Sequence, residues 1–249
     1  MKTNEAENFP QMLKKEADGL HLLKKVNGLK LPAIIETGVE GTMQYLFMEY
    51  IAEGNTSPEF WLNFGTSLAA QHLATNNHFG LDYDNYIGTL IQSNKNHTTW
   101  DNFLISERFI PQIKLAVDAE IISTNEAKNI EQIFKHITDL WPNESPALLH
   151  GDLWAGNFIA GKTNNSSIAV PYVIDPAAYY GHREMDIGMM FLFGGFDKAL
   201  FTAYNEIYTL EKGWENRIKY NQLYPLLVHL NLFGKTYFEE IRQIVNPFL

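Results

Sequence analysis

No cysteine occurs in the 249 residues. Disulfides, zinc–thiolate sites and cysteine nucleophiles are therefore excluded, and a reducing, cytoplasmic compartment is expected. No apolar run approaches the roughly 20 residues that a membrane-spanning helix needs. The first 20 residues, "MKTNEAENFPQMLKKEADGL", lack the continuous apolar core of a signal peptide. Positive charge is scarce. There are 19 Lys and Arg against 29 Asp and Glu, a net charge of -10. No basic stripe is visible, which argues against a nucleic-acid partner. An anionic ligand would have to be met locally, by a few Lys side chains and a metal ion. Internal repeats and low-complexity tails are also missing.

What the chain does have is core-forming material, with 45% hydrophobic and 13% aromatic residues. That is ample for a folded domain. Helical spacing of Met12, Leu13, Ala17, Leu20 and Leu23 predicts a helix over Phe9 to Val26. "LKLPAIIETG" and "MQYLFMEYIAEG" read as two strands joined by a turn at Gly38 to Gly41. A helix follows from "SPEFWLNFGTSLAAQHLAT", with Ser57 as N-cap and Pro58 in its first turn. "TTWDNFLISERFIPQIKLAVDAEII" and "TNEAKNIEQIFKHITDLW" predict two more, the second starting at Thr124 with Glu126 in a capping position. Past "GHREMDIGMMFLF" three further helical stretches complete the chain, among them "NRIKYNQLYPLLVHLNLFG". The organisation is α+β. A strand-rich unit over residues 1–52 ends in a hinge at "MEYIAEGN", and a mostly helical unit covers 53–249.

Chemistry concentrates in "LLHGDLWAGNFI" and "PYVIDPAAYYG", two short apolar strands that each lead into a polar turn, separated by a hairpin-like loop, "GKTNNSSIAVP". Asp152 and Asn157 lie five positions apart beside Gly151 and Gly156, and Asp175 follows on the next strand pair. An amide and a carboxylate can hold a hard divalent cation through oxygen. The other carboxylate can orient or deprotonate a hydroxyl. Phosphoryl transfer needs that set, and Asp-x-x-x-x-Asn with a later Asp is the spacing of kinase catalytic loops. Taken singly, each residue reads equally well as a turn former or helix cap. His150 reads as an anchor of the loop from the core. Lys2 and Glu16 are spaced as a strand Lys and its helix Glu partner, or are surface charges. "FMEYI", Phe47 to Ile51, is an adenine-facing hinge or simply an edge strand.

"HGDLWAGNF", "VIDPAAYYGHREMDIGMMFLFGGF", "GWENRIKYNQLYPLLVHLNLFG" and "FPQMLKKEADGLHLL" together resemble the fructosamine kinase (ketosamine-3-kinase) family. That family lies within the aminoglycoside-phosphotransferase-like, protein-kinase-like group. The similarity runs from Lys2 to about Tyr237. It implies a bilobal protein-kinase-like fold, with a small N-terminal lobe and a helical C-terminal lobe. It implies ATP and Mg2+ as cofactors, and phosphorylation of a sugar hydroxyl on a ketosamine, a small sugar–amine adduct. By the same resemblance Asp152 matches the catalytic base, and Asn157 and Asp175 the metal pair. Lys2 matches the phosphate-contacting Lys, Glu16 its ion-pair partner, and Met48, Glu49 and Tyr50 the adenine-contacting hinge. Asp186 matches the acceptor of catalytic-loop N–H groups, or is a helix cap. His182, Arg183 and Glu184 contact substrate or brace the Asp175 loop. Trp154 stacks on a sugar or belongs to the core. The Gly-rich hairpin that covers the phosphates in kinase-like proteins would lie upstream of residue 1. Weakened nucleotide binding and an exposed sheet edge are expected from this. The alternatives are a front-truncated, weakly active or inactive remnant, or a kinase for an acceptor of aminoglycoside, choline or homoserine type.

Overall fold

The structure is a computed structural model and describes residues 1–163 and 166–249. Strand β1 (Lys2–Glu5) precedes helix α1 (Met12–Lys24), and β2 (Ile34–Glu40) and β3 (Met43–Met48) follow. The three strands form one antiparallel sheet in the order β1-β3-β2. The turn between β2 and β3 falls at Gly41, at φ 59°, the last residue of the Gly38 to Gly41 span expected from the sequence, while Gly38 itself belongs to β2. Alternation places Leu46 of β3 on the inner face, where it packs with Leu13 and Ala17 of α1. One helical face thus covers the sheet. The C-terminal end of the same face carries Leu23, which packs on Leu148 and Ala178 of the helical lobe. Helix α1 therefore joins the two lobes. Leu29 also lies in a helical-lobe core with Phe60 and Phe64.

After β3, α2 (Pro58–His72) starts as expected, with Ser57 accepting from the Phe60 N–H at 3.2 Å. A hairpin of β4 (Asn85–Ile87) and β5 (Leu90–Gln92) comes next. The single helix expected over "TTWDNFLISERFIPQIKLAVDAEII" is three pieces: α3 (Trp100–Phe103), a π-helical stretch (Leu104–Phe109) and α4 (Ile110–Asp118). Pro111 lies in the first turn of α4, directly after the π-helical stretch, where the regular hydrogen-bond ladder is already interrupted. A capping box of Ser123 and Glu126 opens α5 (Thr124–Glu131), and α6 (Ile137–Leu140) follows. Strands β6 (Ala147–Leu149) and β9 (Tyr179–Gly181) pair, as do β7 (Phe158–Thr163) and β8 (Ser166–Val173). The hairpin-like loop expected there is mostly strand; its Asn164 and Asn165 lie outside the described residues. Helices α7 (Glu184–Leu192), α8 (Lys198–Ile207), α9 (Trp214–Asn221), α10 (Leu223–Phe233) and α11 (Phe238–Val245) complete the lobe. The expected long helix over "NRIKYNQLYPLLVHLNLFG" is broken at Gln222 into α9 and α10. Among the described residues no helix is long and apolar enough to cross a membrane.

Two buried cores divide this lobe. One holds Phe103, Leu149, Tyr179, Leu227 and Ile241. The other holds Phe60, Phe64, Leu153, Ile187 and Tyr204. Leu149 and Leu153 belong to different cores, so residues 150–152 run along the seam between them. The β4–β5 hairpin is fixed from within. Arg108 is fully buried, with its guanidinium 4.1 Å from the Tyr179 ring and 4.5 Å from the Phe103 ring. It donates to Asn94 Oδ1 at 2.7 Å. Asn94 and Gln92 both donate to Asn85 Oδ1 at 2.8 Å. Gln92 also donates to the Ala177 carbonyl, and Asn85 to that of Ala178. The hairpin is thereby tied to the segment just after Asp175.

Candidate active site

Two loops meet at the seam, residues 150–157 after β6 and 174–178 after β8. Backbone hydrogen bonds join them. Ala177 N–H donates to the His150 carbonyl at 3.0 Å, and Ile174 N–H to that of Asn157 at 3.0 Å. Gly151 sits at φ +83°, and a Cβ there would lie 2.1 Å from the Ala177 carbonyl oxygen. Only Gly allows both that conformation and that approach. The His150 ring is fully buried. Its Nε2–H donates to the Ile174 carbonyl at 2.9 Å, and its Nδ1 accepts from Asp152 N–H at 3.3 Å. Burial pushes its pKa down, although the Asp186 charge works the other way. His150 is thus a neutral brace between the loops.

Asp186 anchors the first loop from below. Its carboxylate accepts from His150 N–H at 2.8 Å, Gly151 N–H at 2.9 Å and His72 Nε2 at 3.2 Å. His72 Nδ1 in turn meets the Tyr204 hydroxyl at 2.9 Å. Burial disfavours the Asp186 charge. The His72 hydrogen bond, the neighbouring imidazoles and the Gly151 N–H outweigh burial and hold its pKa below the usual carboxylate range. It sits in the first turn of α7 and binds the backbone of the 150–157 loop instead of capping its own helix.

Asp152 faces the opening. Asn157 donates its amide to the Asp152 carbonyl at 2.8 Å and to Oδ2 at 3.1 Å. Burial pushes the Asp152 carboxyl up to about 7, against the Asn157 hydrogen bond, with the charges of Asp175 and Asp186 adding to the rise. Asp175 occupies the left-handed region at φ 57°, unusual for a non-Gly residue. Lys2, on β1, bridges Asp175 Oδ1 and Glu16 Oε1, the latter at 2.7 Å. Three residues far apart in the chain are thereby brought together. Burial raises the Glu16 pKa despite the Lys2 charge beside it.

A polar cavity of about 340 Å³ is lined by Lys2, Lys15, Glu16, Asn157 and Asp175 among others. A second, largely apolar cavity of about 220 Å³ is lined by residues of α7 and α10 and by Ile87. Gly88, Asp152 and Trp154 line both. Trp154 is 38% exposed, so it is not a core residue. Its ring lies over Gly156, where a Cβ would come 2.3 Å from Cη2. Among the described residues no three His, Asp or Glu side chains cluster to hold a metal by themselves. The donor set nevertheless fits Mg2+, which takes one or two protein oxygens and completes its shell with water and phosphate. Asp175 supplies a carboxylate, and Asn157, with its amide nitrogen turned to Asp152, keeps its carbonyl oxygen for the cation.

His182, Arg183 and Glu184 are placed away from both cavities. They are 0%, 2% and 1% exposed. Arg183 makes a bidentate pair with Glu144, both distances 2.7 Å, and donates to the carbonyls of Tyr208 and Thr209. Glu184 pairs with Arg217 at 2.6 Å, and His182 Nδ1 accepts from Glu184 N–H at 3.3 Å. They tie the start of α7 to the segment before β6, to the residues just after α8 and to α9, and neither substrate contact nor bracing of the Asp175 loop describes them. In the hinge, Glu49 N–H donates to the Ala33 carbonyl at 2.8 Å and its carboxylate accepts from Ala33 N–H at 3.0 Å. Met48 packs against the Leu13–Leu46 cluster, and Tyr50 is 87% exposed. None of the three side chains lines the polar cavity. The turn of the β4–β5 hairpin and the inner face of α10, absent from the sequence-based expectations, also line the apolar cavity. "NYIGTLIQ" did carry a signal, two β-rich triplets around a Gly.

A family model for fructosamine kinase matches residues 1–249. A ketoamine-kinase homologue of Enterococcus faecium is 36% identical over 238 residues, spanning 94% of this chain and 81% of its own. The chloroplastic protein-ribulosamine 3-kinase of Arabidopsis thaliana is 34% identical, over 96% of this chain and 73% of its own. The crystal structure of a fructosamine-3-kinase homologue from Thermobifida fusca matches with a TM-score of 0.85 at 35% identity, covering 96% of this chain and 80% of that one. An aminoglycoside phosphotransferase, solved with AMP-PNP and hygromycin B, shares the fold alone. Its TM-score is 0.55 at 14% identity, over 92% of this chain and 81% of that one. With its kinase-like α+β fold and a match along its whole length, this chain is a phosphotransferase and belongs to the fructosamine kinase family.

Proposed function

We propose that this protein transfers the terminal phosphoryl group of ATP to a sugar hydroxyl of a small ketosamine. The observation that carries the reading is the position of Asp152, on the wall shared by a polar cavity and an apolar one. The polar side offers Lys2 to phosphate oxygens, and Asn157 and Asp175 to Mg2+, which when bound neutralises charge on the phosphates. Asp152 orients the acceptor hydroxyl and takes its proton as the oxygen attacks. Trp154 offers an exposed face to the sugar. An aminoglycoside would bring several ammonium groups to a cavity in which Asp152 is the one acidic residue among those lining it. A ketosamine brings one.

The base must be ionised. A carboxyl held at about 7 is mostly protonated at pH 6 and mostly ionised at pH 8. With Mg-ATP and a model fructosamine, ADP should form, and kcat/KM should rise about tenfold per pH unit below 7 and level off above it. Coupled measurement of ADP from pH 5.5 to 9 checks both points. ADP formation no greater than that of an Asp152→Ala control would end this reading, and a flat profile would remove Asp152 as the base.

A further inference from the structure

The apolar cavity beside Asp152 has no part in the phosphate chemistry, and its lining bears on which ketosamines can enter. Its walls include Ile87 at the hairpin turn, Met189 of α7, and Val228, Leu232 and Phe233 of α10. No Lys or Arg lines it, and Asp152 is its one acidic residue. Polar partners are few. The Tyr224 hydroxyl is committed to Gln92 Oε1 at 2.8 Å. His229 uses its Nδ1 on the Pro225 carbonyl at 2.7 Å, which leaves Nε2 as an acceptor on a ring that lines the cavity.

A sugar placed in this cavity would leave several hydroxyls without partners, each at a desolvation cost. An apolar group would meet no such cost. A dry cavity of about 150 Å³ accommodates benzene, so about 220 Å³ has room for a benzyl or cyclohexyl group. A carboxylate there would face Asp152 with no cation among the lining residues to offset it. With the sugar hydroxyl at Asp152, the group that continues into the cavity is the substituent on the ketosamine nitrogen. A single ammonium at the cavity mouth suits the Asp152 carboxylate, the His229 lone pair and the Trp154 face.

Resting on the ketosamine-kinase reading above, we infer that this cavity receives the amine substituent of the acceptor, and that the enzyme selects ketosamines of small neutral apolar amines over those of amino acids. The test compares kcat/KM for three ketosamines of one sugar, made from benzylamine, methylamine and glycine. The benzyl compound should exceed the glycine compound by at least about tenfold, the scale of discrimination an apolar pocket supplies. Leu232 lies at the cavity edge, partly exposed, within reach of Gly88. Leu232→Lys should lower the benzyl-to-glycine ratio at least about tenfold by adding a cation and removing apolar wall. Val228→Leu, which narrows the cavity conservatively, should lower the benzyl-to-methyl ratio at least about threefold. Turnover of all three compounds with equal efficiency, or a preference for glycine, overturns the inference and leaves the ketosamine-kinase reading standing. Unchanged ratios in both variants also overturn it. No turnover of any of the three overturns the functional reading and this inference with it.

Discussion

Replacing Asp152 with Asn should lower kcat by about 10²–10⁴, the usual contribution of a positioned general base, with KM for ATP within about threefold of the parent. Asn keeps the shape and can still accept from Asn157, whose amide reaches both the Asp152 carbonyl and Oδ2. It cannot take a proton. The same variant should be more stable at pH 8. Burial raises the folded-state carboxyl to about 7, well above its unfolded value near 4. The folded state then holds the extra proton between those two values, so stability falls as pH rises through that window. Above it, the ionised group is a standing cost that Asn removes. A gain of about 1 kcal/mol corresponds to roughly 2–4 °C in Tm for a chain of this size. Steady-state kinetics and thermal melts on one preparation read both effects. A variant that retained kcat within tenfold would place the base elsewhere.

Asp186→Ala should cost about 3–5 kcal/mol, the scale of leaving several buried hydrogen-bond donors without their carboxylate, and lower Tm by roughly 10 °C. The side chain is 1% exposed. Its removal orphans His150 N–H, Gly151 N–H and the inner nitrogen of His72 together. Each unpaired buried donor carries its own desolvation cost. Since these donors belong to the loop that bears Asp152, activity should fall at temperatures where the variant is still folded. Asp186→Asn keeps one acceptor oxygen and should lie between. A melt of Asp186→Ala within about 2 °C of the parent would mean that water replaces the carboxylate.

The residues of the two loops were legible in the sequence because their spacing is local. Asp152 and Asn157 are five residues apart, and Gly151 and Gly156 mark the turns. Ser57, Pro58 and Glu126 signalled their helix starts by capping chemistry that also acts within a few residues. His182, Arg183 and Glu184 misled because their partners are distant. Arg183 meets Glu144, and Glu184 meets Arg217, 39 and 33 positions away. A buried ion pair and a substrate-facing charge look alike until the fold brings the counter-charge in. The β4–β5 hairpin escaped notice because its strands are three residues each and are held by Asn85, Gln92, Asn94 and Arg108, side chains that read as surface polar groups. The long helices were overextended because a π-helical stretch and a break at Gln222 leave helical periodicity nearly intact.

The close approach of Gly151 to Ala177 bears on how such an enzyme can diversify. Main-chain contacts set the spacing between the two loops, the one carrying Asp152 and the one carrying Asp175. The acceptor cavity, by contrast, is shaped by side chains projecting from α7, α10 and the β4–β5 turn. Backbone geometry thus sets the half built on Asp152 and Asp175, while side chains set the half around the apolar cavity. Point substitutions in that lining are therefore expected to change which acceptor is taken while leaving the two loops in place.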